Sequence, residues 1–153
     1  MPADLPFFDT CYLVRLYLED PGFQAVREVA ATGRSVAAAW HARAEFVAAL
    51  HRIFREHRME QNAFLAALEQ FRRDSEEELF HWLPLTDGIQ NRLEEVFRRT
   101  PVSVFLRGAD ALHLACAAEN GFKKVYSNDR HLLAAAPLFG LQGVNVIGLN
   151  QAA

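Results

Sequence analysis

Short apolar runs alternate with longer stretches of helical spacing along this 153-residue chain, and that alternation leaves few folds open. "LPFF" (5–8), "SVAAA" (35–39), "FHWLPL" (80–85), "KKVYSN" (123–128) and "GVNVIGL" (143–149) read as strands. Between them, apolar residues recur at three- and four-residue steps. These stretches run over 11–19, 23–31, 40–57 (Phe46, Val47, Leu50, Ile53, Phe54) and 59–79 (Phe64, Leu65, Leu68, Phe71, Leu79). Asp87 is placed to cap a helix whose buried stripe is Ile89, Leu93, Val96 and Phe97. A further helix is expected over 102–120, stopped by Gly121, and a short one over "RHLLAAAP". Strands alternating with helices predict an α/β protein. We expect a three-layer α/β/α sandwich with a mainly parallel central sheet, a single domain over residues 1–153, and a helical hairpin formed by the two long central helices.

Composition matters mainly for what it excludes. With 51% hydrophobic and 23% charged residues the chain is ordinary globular material. Its two cysteines form no CxxC and its six histidines no HExxH, so neither a disulfide framework nor a zinc framework is expected, and a reducing interior suits it. A net charge of −3 creates no general basic field, and any nucleic-acid contact must rest on local patches. No apolar stretch reaches bilayer length and "MPADLPFFDT" lacks the basic start of a signal peptide. The expectation is a soluble, cytoplasmic protein without membrane attachment.

Four carboxylates stand where chemistry collects in such a fold. Ligands of open α/β sheets gather beyond the carboxyl ends of the strands, and Asp9 and Asp129 each close a strand. Glu45 lies about one turn into the helix after the second strand, and Asp110 interrupts the apolar run "LRGADALHLACAAENG" (106–121). A carboxylate removed from water neutralises, finds a partner or binds a metal. Four in one crevice would repel unless a cation lay between them. Oxygen ligands suit Mg²⁺ or Mn²⁺, and the chemistry that follows is metal-assisted phosphodiester hydrolysis.

"FFDTCYLVRLYLEDPG", "RAEFVAALHR", "LRGADALHLACAAENG" and "VYSNDRHLL" come in the order, and at roughly the spacing, seen in the PIN-domain ribonucleases, and the chain resembles especially the VapC toxins of bacterial toxin–antitoxin pairs. The resemblance spans nearly the whole chain. It implies an RNA-cleaving toxin that uses Mg²⁺ or Mn²⁺, is restrained by a cognate antitoxin and forms a homodimer. Asp9 then resembles the first-strand metal ligand, Glu45 the acid of the "AE" motif, Asp110 that of "ADALHLA", and Asp129 the acid after the late strand. Family members often carry Ser or Asn two residues after the first Asp and Thr two before the last. Here Cys11 and Ser127 hold those places. Ser127 keeps a hydroxyl, whereas a thiol is a poorer hydrogen-bonding group.

Each of these residues also has a plainer reading. Asp9 and Asp129 can be helix caps, and Glu45 can be a solvated helix acid paired with Arg43 or Arg52. His113, one turn after Asp110, is either a packed core histidine, the commoner case, or a contact to the site or substrate. Arg107 either holds a phosphate at the site mouth or pairs with Asp110. Thr10 and Asn128 are further contacts to the site or ordinary turn residues. The hairpin can display Phe71, Phe80 or Trp82 to an antitoxin or a second copy. The alternative function is a catalytically degenerate PIN-like module that binds RNA or a protein partner, favoured only by Cys11. A phosphoaspartate enzyme built on Asp9 fits poorly, since "DTC" is not a DxD pair.

Overall fold

Phe7 and Phe8 stand at the middle of a parallel sheet, one side chain on each face. The computed structural model describes residues 2–148. On one side of this segment lies β1 (Val36–Ala39), which pairs in parallel with β2 (Phe80–Leu83), Val36 opposite Phe80 and Ala39 opposite Leu83. On the other side lies β3 (Lys124–Tyr126), parallel to β4 (Gln142–Val144). Phe7 bridges Ala37 and Phe8 bridges Tyr126, so the segment joins the two strand pairs into one parallel array. Phe8 N–H donates to the Ala37 carbonyl and Asp9 N–H to that of Tyr126.

The expected first strand over 5–8 is therefore reduced to two bridging residues. Pro6 has no N–H to extend the ladder backward, and Asp9 already turns the chain into α1 (Thr10–Val14). After this central segment the chain runs to β1 and β2 on one side and only later crosses to β3 and β4. Asp9 thus sits at the point where the strand order reverses.

The period-two alternation of a strand divides the interior in two. Phe7, Ala37 and Ala39 face one core with Leu83, Ile89, Leu114 and Val125. Phe8, Val36 and Ala38 face the other with Tyr12, Phe46, Leu50, Phe71 and Phe80. The first core is covered by α5 (Asp87–Arg99), α6 (Gly108–Glu119) and α7 (Arg130–Ala135), the second by α1, α2 (Phe23–Ala30), α3 (Ala42–Arg55) and α4 (Gln61–Glu76). This is the expected α/β/α sandwich. α3 and α4 form the expected hairpin, held by the stacked rings of Phe46 and Phe71, 3.9 Å between centroids, and of Phe54 and Phe64 at 4.9 Å.

Several boundaries move from their expected places. α1 ends at Val14 rather than near Glu19, and the Arg15 guanidinium satisfies the carbonyls of Cys11 and Pro21 in the turn that follows. Thr86, not Asp87, caps α5, its hydroxyl accepting from Ile89 N–H. The helix expected from Val102 begins only at Gly108. Val102 and Phe105 point into solvent, so residues 100–107 bury no continuous stripe, and Thr100, ahead of Pro101, is extended. The last strand stops at Val144 because the Asn145 side chain accepts from the N–H groups of Ile147 and Gly148 in a tight turn. Leu149, the end of that expected strand, lies outside the described residues. Phe71 and Phe80 are buried against Tyr17 rather than displayed, and Trp82 is half-buried.

Candidate active site

Asp9, Glu45, Asp110 and Asp129 all line one cavity of about 390 Å³ above the reversal point, with Thr10, Arg107, His113 and Asn128 beside them. Ser127 lies beneath its floor, fully buried. Each acid arrives by a separate local device. Asp9 ends the central segment and accepts from Tyr12 N–H as the cap of α1. Glu45 comes from the first turn of α3 and Asp110 from the first turn of α6. Asp129 caps α7, accepting from the N–H groups of His131 and Leu132. The capping roles of Asp9 and Asp129 thus hold without removing either from the cavity, because a carboxylate has an oxygen to spare after capping.

Asp9 is almost fully buried. Burial pushes its pKa up, opposed by donors from Cys11, Ser127 and Tyr12. The Cys11 thiol donates to Oδ1 at 2.7 Å and the Ser127 hydroxyl to Oδ2. Burial and then the neighbouring Asp9 charge hold the Cys11 thiol protonated, well above its usual range. Ser127 also accepts from Asp129 N–H at 2.9 Å, tying the two strand-end acids together.

Glu45 is not paired with Arg43 or Arg52. Its Oε1 accepts from the Thr10 hydroxyl at 2.8 Å and lies 2.6 Å from His113 Nε2 and 3.7 Å from His41 Nε2. Burial raises the carboxyl's pKa, but the hydrogen bond and charge of His113, with Thr10, carry it down to about 2. His113 is both readings at once, a core histidine with 2% exposure and the partner that orients Glu45. Burial, with the adjacent His113, holds His41 down at about 4.

Arg107 also fulfils its pairing reading. It donates from Nε to Asp110 at 2.9 Å and from a terminal nitrogen to Asp129 at 3.0 Å, so one guanidinium spans two acids. It stands half-exposed at the rim. Sequence reasoning missed His41, although its place one turn before Glu45 puts it on the same helix face. It also missed Arg15 and Asp20, brought to the cavity wall by the turn after α1, where Arg52 from α3 and Arg58 from the turn after α3 stand as well.

The donor set tests whether a divalent cation suits this crevice. Four carboxylates line the one cavity, one of them nearly dry, and Arg107 is the cation seen bridging two of them. An oxygen-rich lining of this kind fits a hard ion such as Mg²⁺ or Mn²⁺.

The family model described as the PIN domain matches residues 7–137. No curated protein matches the chain in sequence. Among solved structures, the chain is similar to VapC20 of Mycobacterium tuberculosis, described as a sarcin–ricin loop cleaving toxin. The TM-score is 0.64 with 21% identity, over 84% of this chain and 93% of that one. It is also similar to VapBC2 of Rickettsia felis, solved bound to a DNA fragment from its promoter. There the TM-score is 0.66 with 12% identity, over 92% and 98% of the two chains. At these identities the likeness is one of fold.

Proposed function

The chain belongs to the PIN-domain family, and from that premise we propose that it is a Mg²⁺- or Mn²⁺-dependent endoribonuclease, the toxin of a toxin–antitoxin pair. The observation that carries this reading is the meeting of Asp9, Glu45, Asp110 and Asp129 in one cavity at the sheet's reversal point. The fold likeness to VapC20 and VapBC2 supports the toxin assignment, with RNA as substrate and a cognate antitoxin as partner; a homodimer is the assembly proposed with it. Among the described residues no helix is long and apolar enough to cross a membrane, in keeping with action in the cytoplasm.

In this reading the four acids hold the cation. When bound, such an ion neutralises phosphate charge and makes water acidic enough to serve as a nucleophile near neutral pH. The chain's own groups do the rest. Ser127 and Cys11 fix both oxygens of Asp9, so the carboxylate cannot rotate away from the cavity. Thr10 and His113 hold Glu45 ionised and oriented. Arg107, at the rim, moves from its carboxylate partners to a phosphate oxygen of the substrate. Arg15, Arg52 and Arg58 on the wall complement the RNA backbone locally, as a chain with no net basic charge requires.

The test is cleavage of RNA by purified protein with Mn²⁺ or Mg²⁺, compared with Asp9→Asn and Asp110→Asn. Both variants should lose cleavage while keeping wild-type circular dichroism. Undiminished cleavage by either variant refutes the assignment.

A further inference from the structure

We propose that His41, Glu45 and His113 form a second, chemically distinct cation site, selective for borderline transition ions of the zinc and cobalt class, beside the four-carboxylate crevice. His41 immediately precedes α3, Glu45 follows one turn later, and His113 reaches across from α6. The two imidazoles face each other with centroids 4.2 Å apart, and their ligating atoms and a Glu45 oxygen all lie within 4.8 Å of one another. His113 Nε2 is 2.6 Å, and His41 Nε2 3.7 Å, from the same Oε1. A first-row ion with donor bonds of about 2.0–2.2 Å needs the His113–Glu45 contact to open and His41 to draw in slightly.

The second nitrogens make the site available. Nδ1 of His41 and Nδ1 of His113 are both buried without a hydrogen-bond partner among the described residues. The Nε2 partners, the Ala109 carbonyl and Glu45, only accept, so each ring carries a proton there until an ion takes their place, and no donor at Nδ1 opposes its transfer to that nitrogen. Moving that proton to Nδ1 leaves the number of unpartnered ring nitrogens unchanged and turns two lone pairs toward Glu45. His41 Nε2 lies 3.1 Å from the Ala109 carbonyl, a contact that an ion would replace while leaving that oxygen close by. Two imidazoles and one carboxylate favour zinc, cobalt, nickel or iron(II) over Mg²⁺, the reverse of the preference of an all-carboxylate set.

Glu45 is shared between the two sets, which gives the second site a consequence. An ion held by the histidines takes Glu45 away from the oxygen-ligated crevice, so zinc should antagonise Mn²⁺-supported cleavage. That consequence rests on the nuclease reading; the binding site itself does not.

The experiment titrates Co²⁺ into the chelator-treated full chain and follows the visible ligand-field bands, with zinc measured by calorimetry. Wild-type protein should bind one ion with nitrogen-type bands. His41→Gln, at a partly exposed position, and His113→Gln should each lose at least about tenfold in affinity, whereas Asp110→Asn and Asp129→Asn should keep both the bands and the affinity. Bands that survive both histidine substitutions, or that vanish in the aspartate variants, overturn the proposal. If the histidine variants lose Co²⁺ but the wild type never cuts RNA, this site stands and the nuclease reading falls. Under the nuclease reading, zinc should inhibit Mn²⁺-supported cleavage by wild type and inhibit His41→Gln far less; equal inhibition of both separates zinc's effect from this site.

Discussion

Ser127 donates its hydroxyl to Oδ2 of Asp9 across 118 residues of sequence, joining the ends of two neighbouring strands beneath the cavity. Asp9 is nonetheless a costly residue to keep. Its pKa is raised by burial, so the folded protein holds that proton more tightly than the unfolded chain does. The stability it lends at low pH is lost as pH rises from the unfolded value of 3.8 through the folded one. Near neutrality the charge is a net burden on folding. Asp9→Asn should therefore raise the melting temperature at pH 7 by roughly 2–4 °C, about 1 kcal/mol, while abolishing cleavage. A melting temperature lowered by the substitution would contradict this account.

Ser127→Ala removes a buried donor to Asp9 and the acceptor for Asp129 N–H together. The expected loss is about 1–3 kcal/mol in urea unfolding, because Asp9 stays buried with one donor fewer and the Asp129 N–H loses its acceptor. Ser127→Thr retains the hydroxyl, and its loss should be smaller than that of the alanine variant if the hydrogen bonds carry the effect.

The Glu45–histidine cluster sets an acid limit on stability. His41, held at about 4 against an ordinary 6.5, stays neutral in the fold while the unfolded chain takes up a proton, so stability falls as pH drops from 6.5 toward 4. Glu45, held at about 2 against 4.5, adds stability that is present above 4.5 and is lost as pH falls toward 2. Thermal unfolding of chelator-treated protein should decline in both windows. His41→Gln should flatten the upper one, and Glu45→Gln the lower one.

Arg107 competes with a divalent ion for Asp110 and Asp129, since one guanidinium already bridges them. Arg107→Gln should tighten Mn²⁺ binding roughly 2- to 5-fold, the scale of an exposed ion pair. It should also weaken RNA binding and reduce its salt dependence. Calorimetry and a salt series on RNA affinity separate the two effects. Unchanged Mn²⁺ affinity would leave Arg107 outside the cation site.

The hairpin core offers a control away from the chemistry. Phe46 is fully buried and stacked on Phe71. Phe46→Ala should cost about 3–5 kcal/mol through lost burial and the cavity left behind, visible as a lower urea midpoint with little change in slope.

The alternation of apolar runs with helical periods was enough to read a parallel α/β sandwich, because period and length are local properties of the chain. The same holds for the strand-end positions of Asp9 and Asp129 and for the place of Glu45 about one turn into its helix. The late start of α6 at Gly108 was not legible, since residues 102–106 are apolar yet Val102 and Phe105 remain exposed. Nor was the reduction of the first strand to Phe7 and Phe8, which depends on how two separate strand pairs close around it. Only the tertiary structure decided which groups meet. Neither Thr10 and His113 against Glu45 nor Arg107 reaching Asp129 as well as Asp110 follows from any repeat in the chain. Sequence periodicity determines which face of an element is buried; the packing of distant elements determines which polar atom stands opposite which, and the cavity's chemistry resides in those pairings.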